Sequence, residues 1–223
     1  MANSPAVLFD IDGTLVDSNY LHVHAWARAF DDLGIEVESW RIHRSIGMDG
    51  GRLLDSLIGD SGDDVKDRAK EAHLRYLREA APLLRRLPGT RELFERIRSL
   101  GLQIVLASSA SEDEMALSLP VLDCDDLVSA TTSSKDVEVA KPEPTIIEVA
   151  VDRAGVAAED TVYVGDAVWD IIACGRAGVP AIGLLSGGVS REELEKAGAE
   201  AVFDNPRDLC DHIEDTAIAA LRR

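Results

Sequence analysis

The chain has 223 residues, 46% of them hydrophobic, and a formal net charge of −18. That length suits one large domain or a core with an insert, and the apolar fraction is enough for a sizeable buried core. The acidic balance excludes nucleic acid and anionic membrane as partners, and it repels phosphorylated metabolites unless a cation inverts the field locally.

No apolar run approaches the ~20 residues that span a bilayer. Met1-Ala2-Asn3-Ser4-Pro5 lacks the basic region of a signal peptide, so the expected location is the cytoplasm. Cys124, Cys174 and Cys210 lie far apart without paired spacing, which suggests neither a disulfide framework nor a zinc site.

Val7-Leu8-Phe9 reads as a buried strand of a parallel sheet, and it runs into Asp10-Ile11-Asp12-Gly13-Thr14. Residues i and i+2 of an extended chain point to one side, so Asp10 and Asp12 crowd together at the strand's carboxyl end. Close carboxylates repel, and a bound cation or a shared proton relieves them. An acidic turn without function is the plain alternative. A calcium loop is not, because it needs a glutamate at its twelfth position, and counting from Asp10 that residue is Leu21.

Residues 16–86 then read as helices only. Leu21, Ala25, Ala29, Phe30 and Leu33 recur at helical spacing with Gly34 at the end, and Ser39 suits the cap of a second helix running to Ile46. Asp49–Ile58 reads as a third helix. A fourth runs from Val65 to about Arg85, punctuated by Pro82.

From Pro88 onward helices alternate with short apolar runs. Strands are expected at Gln103–Ala107, Leu127–Ala130, Thr161–Val164, Ala181–Leu185 and Ala201–Phe203, with a last helix to the terminus. The alternation predicts an α/β fold. Residues 1–15 and 87–223 would form a doubly wound parallel-sheet core, and residues 16–86 an inserted α-helical cap. Ligands of such sheets bind beyond the carboxyl ends of the strands.

Those ends carry further polar residues. Ser108-Ser109 follows one strand and precedes a helix, where a hydroxyl and free amides can bind an anion or simply cap the helix. Lys141 lies in a loop before the next helix, and only 5 of the 23 basic residues are lysine. It can neutralise a carboxylate or a phosphate there, or sit solvated at the surface. Gly165-Asp166 ends another strand, with Asp170 one helical turn on; together they form a second acidic cluster or a dipole-friendly first turn.

In chain order, Asp10-Ile11-Asp12-Gly13-Thr14, Ser108, Lys141 and Gly165-Asp166 with Asp170 resemble the four motifs of the haloacid dehalogenase (HAD) superfamily. The resemblance covers nearly the whole chain. With its helical insert after the first strand, it points to the subgroup containing phosphoglycolate phosphatase and β-phosphoglucomutase, built on a Rossmann-like core. It implies a magnesium-dependent phosphomonoester hydrolase that acts on a small phosphorylated metabolite through an aspartyl phosphate. Asp10 would be the nucleophile and Asp12 the acid and base, while Ser108, Ser109 and Lys141 would hold the phosphoryl group. Magnesium would sit on Asp10, the Asp12 carbonyl and Asp166, with Asp170 behind them.

Dehalogenases of the superfamily lack the second aspartate, so Asp12 argues against that chemistry. A phosphosugar mutase is the alternative, and the mutase also resembles this chain at His22 and Trp26. However, mutases typically carry Glu-Asp where this chain has Gly165-Asp166. A receiver-type phospho-switch is a remote third, since it needs no helical insert. Two departures, Ala167 for a common Ser or Thr and Thr145 for a common Asp, touch only loop bonding or capping. His22 and His24, two apart on an expected helix, face different sides and do not readily share a metal; His22 is the better active-site candidate, with a solvated or core histidine as the plain alternative. Arg52 is a candidate for an anionic leaving group. A monomer or weak homodimer is expected.

Overall fold

β1 (Ala6–Phe9) is buried along its whole length and bonded on both sides, to β4 (Gln103–Ala107) and β6 (Thr161–Gly165). A strand covered on both faces cannot alternate polar and apolar residues, which is why it reads as one apolar run. The computed structural model describes residues 4–136 and 141–222. Beyond β4 lies β5 (Ala130–Thr132); beyond β6 lie β7 (Ala181–Leu184) and β8 (Ala201–Phe203). The order is β5-β4-β1-β6-β7-β8, and every pairing is parallel.

The pleat sends Val7 and Phe9 to one face, where they meet α5 (Thr90–Ser99) through Leu93, Phe94 and Ile97. Ala6 and Leu8 go to the other, against Ile146, Ile147 and Ala150 of α7 (Thr145–Ala154). The sheet is therefore doubly wound, with its switch at β1, and chain order changes direction between β4 and β6.

Four helices intervene between β1 and α5: α1 (Asn19–Asp32), α2 (Ser39–Ser45), α3 (Gly50–Ile58) and α4 (Asp63–Ala80). They share a separate apolar cluster built on Trp26, Phe30, Ile42, Leu54, Tyr76 and Leu77. The chain enters and leaves this layer through a two-stranded antiparallel ribbon, β2 (Val16–Asp17) with β3 (Arg85–Arg86). Strands of two residues carry no readable period, so the ribbon has no signature in the sequence.

Several expected boundaries shift. Ser39 does not cap α2, because Glu38 occupies that position and the helix stops at Ser45. The fourth helix ends at Ala80, and Pro82 lies in a short 3-10 turn that frees Arg85 and Arg86 for pairing. The fifth strand is Ala130–Thr132, not Leu127–Ala130, because its ladder starts where the Ser129 amide donates to the Ile104 carbonyl at 2.8 Å. Leu127 and Val128 instead pack on the core. The terminal helix is two: α10 (Pro206–Asp211), capped by Asn205, and α11 (Ala217–Ala220), capped by Thr216. Among the described residues no helix is long and apolar enough to cross a membrane. Cys124 and Cys174 are buried, Cys210 is half-buried, and all three are unpaired.

Candidate active site

Phe9 pairs with Leu106 of β4 and Val164 of β6, so the next residues of all three strands emerge side by side. Asp10 follows β1, Ser108 follows β4 and Asp166 follows β6. All three are buried: Asp10 is 4% exposed, Ser108 1% and Asp166 2%. Gly13, at φ +73°, turns the chain away directly afterwards, and a Cβ there would stand 2.5 Å from Asp166 Oδ2.

Lys141 is fully buried, and its Nζ donates to Asp10 Oδ1 at 2.9 Å and reaches Asp170 Oδ1 at 2.6 Å. It also donates to the Tyr163 hydroxyl at 2.9 Å, which in turn donates to the Ala107 carbonyl at 3.1 Å. Burial disfavours the ammonium, but Asp10 and Asp170 outweigh it and push Lys141 above its ordinary value, so it is charged. The surface-lysine alternative is thereby excluded. Asp170 Oδ2 accepts the Ala167 amide at 3.1 Å, so the first turn of α8 (Val168–Ala177) positions this carboxylate, and Ala167 serves through its backbone.

Burial raises the Asp10 carboxyl to about 7; Lys141 opposes the rise, whereas Asp170 and Asp12 add to it. Burial likewise pushes Asp166 well up, with Asp170 and Asp10 adding repulsion. Thr14 Oγ1 and Asn19 Nδ2 each donate to Asp166 at 2.8 Å. Asn19 Oδ1 beside it is buried without a partner.

Asp10, Asp166 and Asp170 bring carboxylate oxygens within 4.8 Å of one another. A set of oxygen donors that repel each other in a dry site fits a hard divalent cation such as magnesium. Each of the three is also bonded within the protein, Asp170 by Lys141 and the Ala167 amide, Asp10 by Lys141, and Asp166 by Thr14 and Asn19.

Asp12 looks elsewhere. Its Oδ1 accepts from Ser18 Oγ at 2.6 Å and lies 3.4 Å from His22 Nε2 on α1. Burial raises an aspartate, but the charge and hydrogen bond of His22 more than offset it, so Asp12 falls below its usual range. The same contact lifts His22 against its own burial. His22 Nδ1 meets His73 Nε2 of α4 at 3.2 Å, and His73 Nδ1 lies 3.4 Å from Glu114 Oε1 of α6 (Glu112–Leu122). Burial and His22 drive the His73 value well down, so this ring is neutral. His24, by contrast, is exposed.

Asp10, Asp12, His22, Ser108 and Ser109 line one cavity of about 50 Å³ together with Trp26. Ser108 Oγ accepts the Ala110 amide at 3.1 Å, whereas Ser109 Oγ is buried without a partner. Arg52 is not brought in: its guanidinium lies 3.6 Å from Glu143, and it lines neither this cavity nor the larger one beside it. Thr145 starts α7 after Pro144 and makes no cap bond to it. The reading of the sequence missed Tyr163, Asn19, His73 and Glu114. A tyrosine inside an apolar strand and a histidine in the buried stripe of α4 were the available signals, since both polar tips need partners.

The family model described as haloacid dehalogenase-like hydrolase matches residues 7–184. Phosphoglycolate phosphatase of Rhodospirillum rubrum is 30% identical over 92% of this chain and 89% of its own length. The phosphorylated carbohydrates phosphatase of Thermotoga maritima is 29% identical over 88% of this chain and 93% of its own. Among solved structures, a hydrolase from Pseudomonas syringae has a TM-score of 0.91 at 36% identity, covering 95% of this chain and 98% of that one. The matched span runs from β1 to the end of β7 and holds every carboxylate of the buried cluster; this chain is an enzyme of the haloacid dehalogenase-like hydrolase family.

Proposed function

We propose that this hydrolase cleaves the phosphate monoester of a small metabolite in two steps through an aspartyl phosphate on Asp10. The observation that carries the reading is the convergence of Asp10, Asp12 and Ser108 on one cavity above the carboxyl end of the central strands. In the first step an Asp10 carboxylate oxygen forms a bond to phosphorus while the bond from phosphorus to the ester oxygen breaks. Asp12 supplies the proton that lets the alcohol leave. In the second step Asp12 takes a proton from water, whose oxygen attacks phosphorus and releases inorganic phosphate, restoring Asp10.

Asp12 on its own is a poor acid, because His22 holds it ionised. The proton therefore resides on the Asp12–His22 pair, with the imidazole ring returning it to Asp12 Oδ1 as the leaving oxygen gains charge. Lys141 keeps Asp10 in line and, with Ser108 and the amides that follow it, offsets charge on the phosphoryl oxygens. Asp10, the Asp12 carbonyl and Asp166 would hold magnesium, which would supply positive charge between an anionic ester and an anionic nucleophile. The protein's three unpaired cysteines suit a reducing cytoplasm, where it would act as a monomer or weak homodimer on a soluble metabolite.

Gly165 weighs against the mutase. A Cβ there would stand 2.5 Å from Asp170 Oδ2, so a glutamate would dislodge the carboxylate that holds Lys141. The test is phosphate release from p-nitrophenyl phosphate with magnesium, with EDTA, and with Asp10→Asn. Acid-quenched turnover examined by mass spectrometry should place the phosphoryl group on the Asp10 peptide. No turnover of any monoester by folded protein would sink the reading.

A further inference from the structure

Beside the small cavity lies one of about 400 Å³, between α1, α3 and α4 on one side and the ends of β4 and α7 on the other. That volume is in the range of small-molecule sites, about 300–1,000 Å³. The two cavities share Trp26, Gly50, Ser109 and Glu114, which form a neck between them. Among the described residues, a monoester with its phosphoryl group over Asp10 can thus extend its organic half through this neck into the larger cavity.

The large cavity's walls have a definite chemistry. Three carboxylates line it, Asp49, Glu71 and Glu114, against a single ammonium, Lys70. His73 adds no charge, since burial keeps it neutral. Arg52, the nearby cation that could have received an acid, is turned to Glu143 outside. Hydroxyls of Ser109, Ser111 and Ser134 alternate with apolar surface from Trp26, Leu74 and Ile146. Ser109 Oγ, at the neck, is buried and has no hydrogen-bond partner within the protein. A buried hydroxyl without a partner is rare in folded proteins and marks a place where a ligand group can complete the bonding.

We infer that the leaving group is uncharged and hydroxyl-rich, so that the substrate is a sugar or polyol monophosphate and not a phosphorylated carboxylic acid. This rests on the phosphatase reading above. Carboxylates and serine hydroxyls accept and donate to ring hydroxyls, while the apolar wall takes the C–H faces between them. A short acid such as glycolate would place its carboxylate before three others and leave most of the volume to water. Size and charge thus select the same class.

The experiment compares kcat/KM for aldose phosphates, phosphoglycolate and phosphoethanolamine, with p-nitrophenyl phosphate as the reference ester. The best sugar phosphate should exceed both others by at least about tenfold, which is one factor of ten in transition-state discrimination. Glu71→Lys, at the exposed rim, should narrow the gap between sugar phosphate and phosphoglycolate by about threefold by weakening the negative wall. If phosphoglycolate or phosphoethanolamine equals the sugars while the reference ester turns over, the substrate class is wrong and the phosphatase reading stands. If no ester turns over, the phosphatase reading falls. Calorimetric titration of Asp10→Asn with the same compounds then decides the cavity's preference, and tighter binding of phosphoglycolate overturns it.

Discussion

His73 Nε2 lies 3.2 Å from His22 Nδ1, and through that contact a helix of the inserted layer reaches Asp12. The path runs Asp12, His22, His73, Glu114, leaving the sheet domain at Asp12 and returning to it at α6. His73 also stacks on Trp26, with ring centroids 4.0 Å apart. His73→Ala removes a buried ring and leaves His22 Nδ1 without a partner, so it should destabilise the fold by about 3 kcal/mol. It should lower kcat more than it raises KM, because a loose His22 no longer fixes Asp12. His73→Gln, whose amide can replace the lost bond, should recover most of kcat; equal kcat in both variants would show that the contact only packs. Urea unfolding and steady-state kinetics measure the two effects.

Among the described residues, Lys141 is the one cation paired within the cluster of three buried carboxylates, 2.9 Å from Asp10 and 2.6 Å from Asp170. Removing one member of a buried ionic set strands the others, at a cost of about 3–5 kcal/mol. Lys141→Met should therefore abolish turnover and lower the unfolding midpoint sharply. Adding Asp170→Asn should restore much of the stability but none of the activity. Additive losses in the double variant would contradict the pairing.

If Asp10 holds magnesium as proposed, protons should compete with the ion for its carboxylate. Its carboxyl titrates at about 7 in the folded protein because of burial and the repulsion of Asp170 and Asp12, against 3.8 when unfolded. The folded state thus binds this proton more tightly. The associated stability is complete below the unfolded value and is lost as pH rises through about 7. A metal ion needs the deprotonated form, so the rise in melting temperature on adding magnesium should be larger at about pH 7.5 than at about pH 5.5. His22 also loses its contribution as pH rises, but it does so with or without the ion. A magnesium-induced shift that is flat across this interval would rule out Asp10 as a ligand.

Gly187 is where the floor of the site has no room. A Cβ there would fall 1.7 Å from Asp166 Oδ2, so Gly187→Ala must push the carboxylate aside. Magnesium affinity, read by calorimetry, should weaken by about 10–100-fold while circular dichroism stays native. Gly175→Ala is the control. That helical position has nothing within 4 Å of the added carbon, and the change should stabilise α8 by about 0.5–1 kcal/mol.

Asp10, Ser108, Lys141 and Asp166 were legible because each follows or precedes an element whose period can be read, and a parallel sheet gathers such positions at one end. Asp170 was legible as a neighbour of Asp166. Its bond to Lys141 was not, because nothing in the local pattern says which loop lysine turns inward. His22 could be singled out; its partners could not. His73 and Glu114 stand 51 and 92 residues further on, and helical periodicity tells which face they occupy but not what that face meets. Arg52 illustrates the reverse: its position on α3 suggested the cavity, and a nearby Glu143 took it instead.

The sequence by itself determined the order of the sheet's strands along the chain, the doubly wound sheet and the residues at its strand ends. Those depend on local hydrophobic period and turn chemistry, which act over a few residues. Only the tertiary structure decided which carboxylates hold the lysine, which residues steady His22, and that the larger cavity is walled by acids and hydroxyls. Those are matters of how two separately cored layers dock across the β2–β3 ribbon, and docking is governed by shape and charge contacts between residues far apart in the chain.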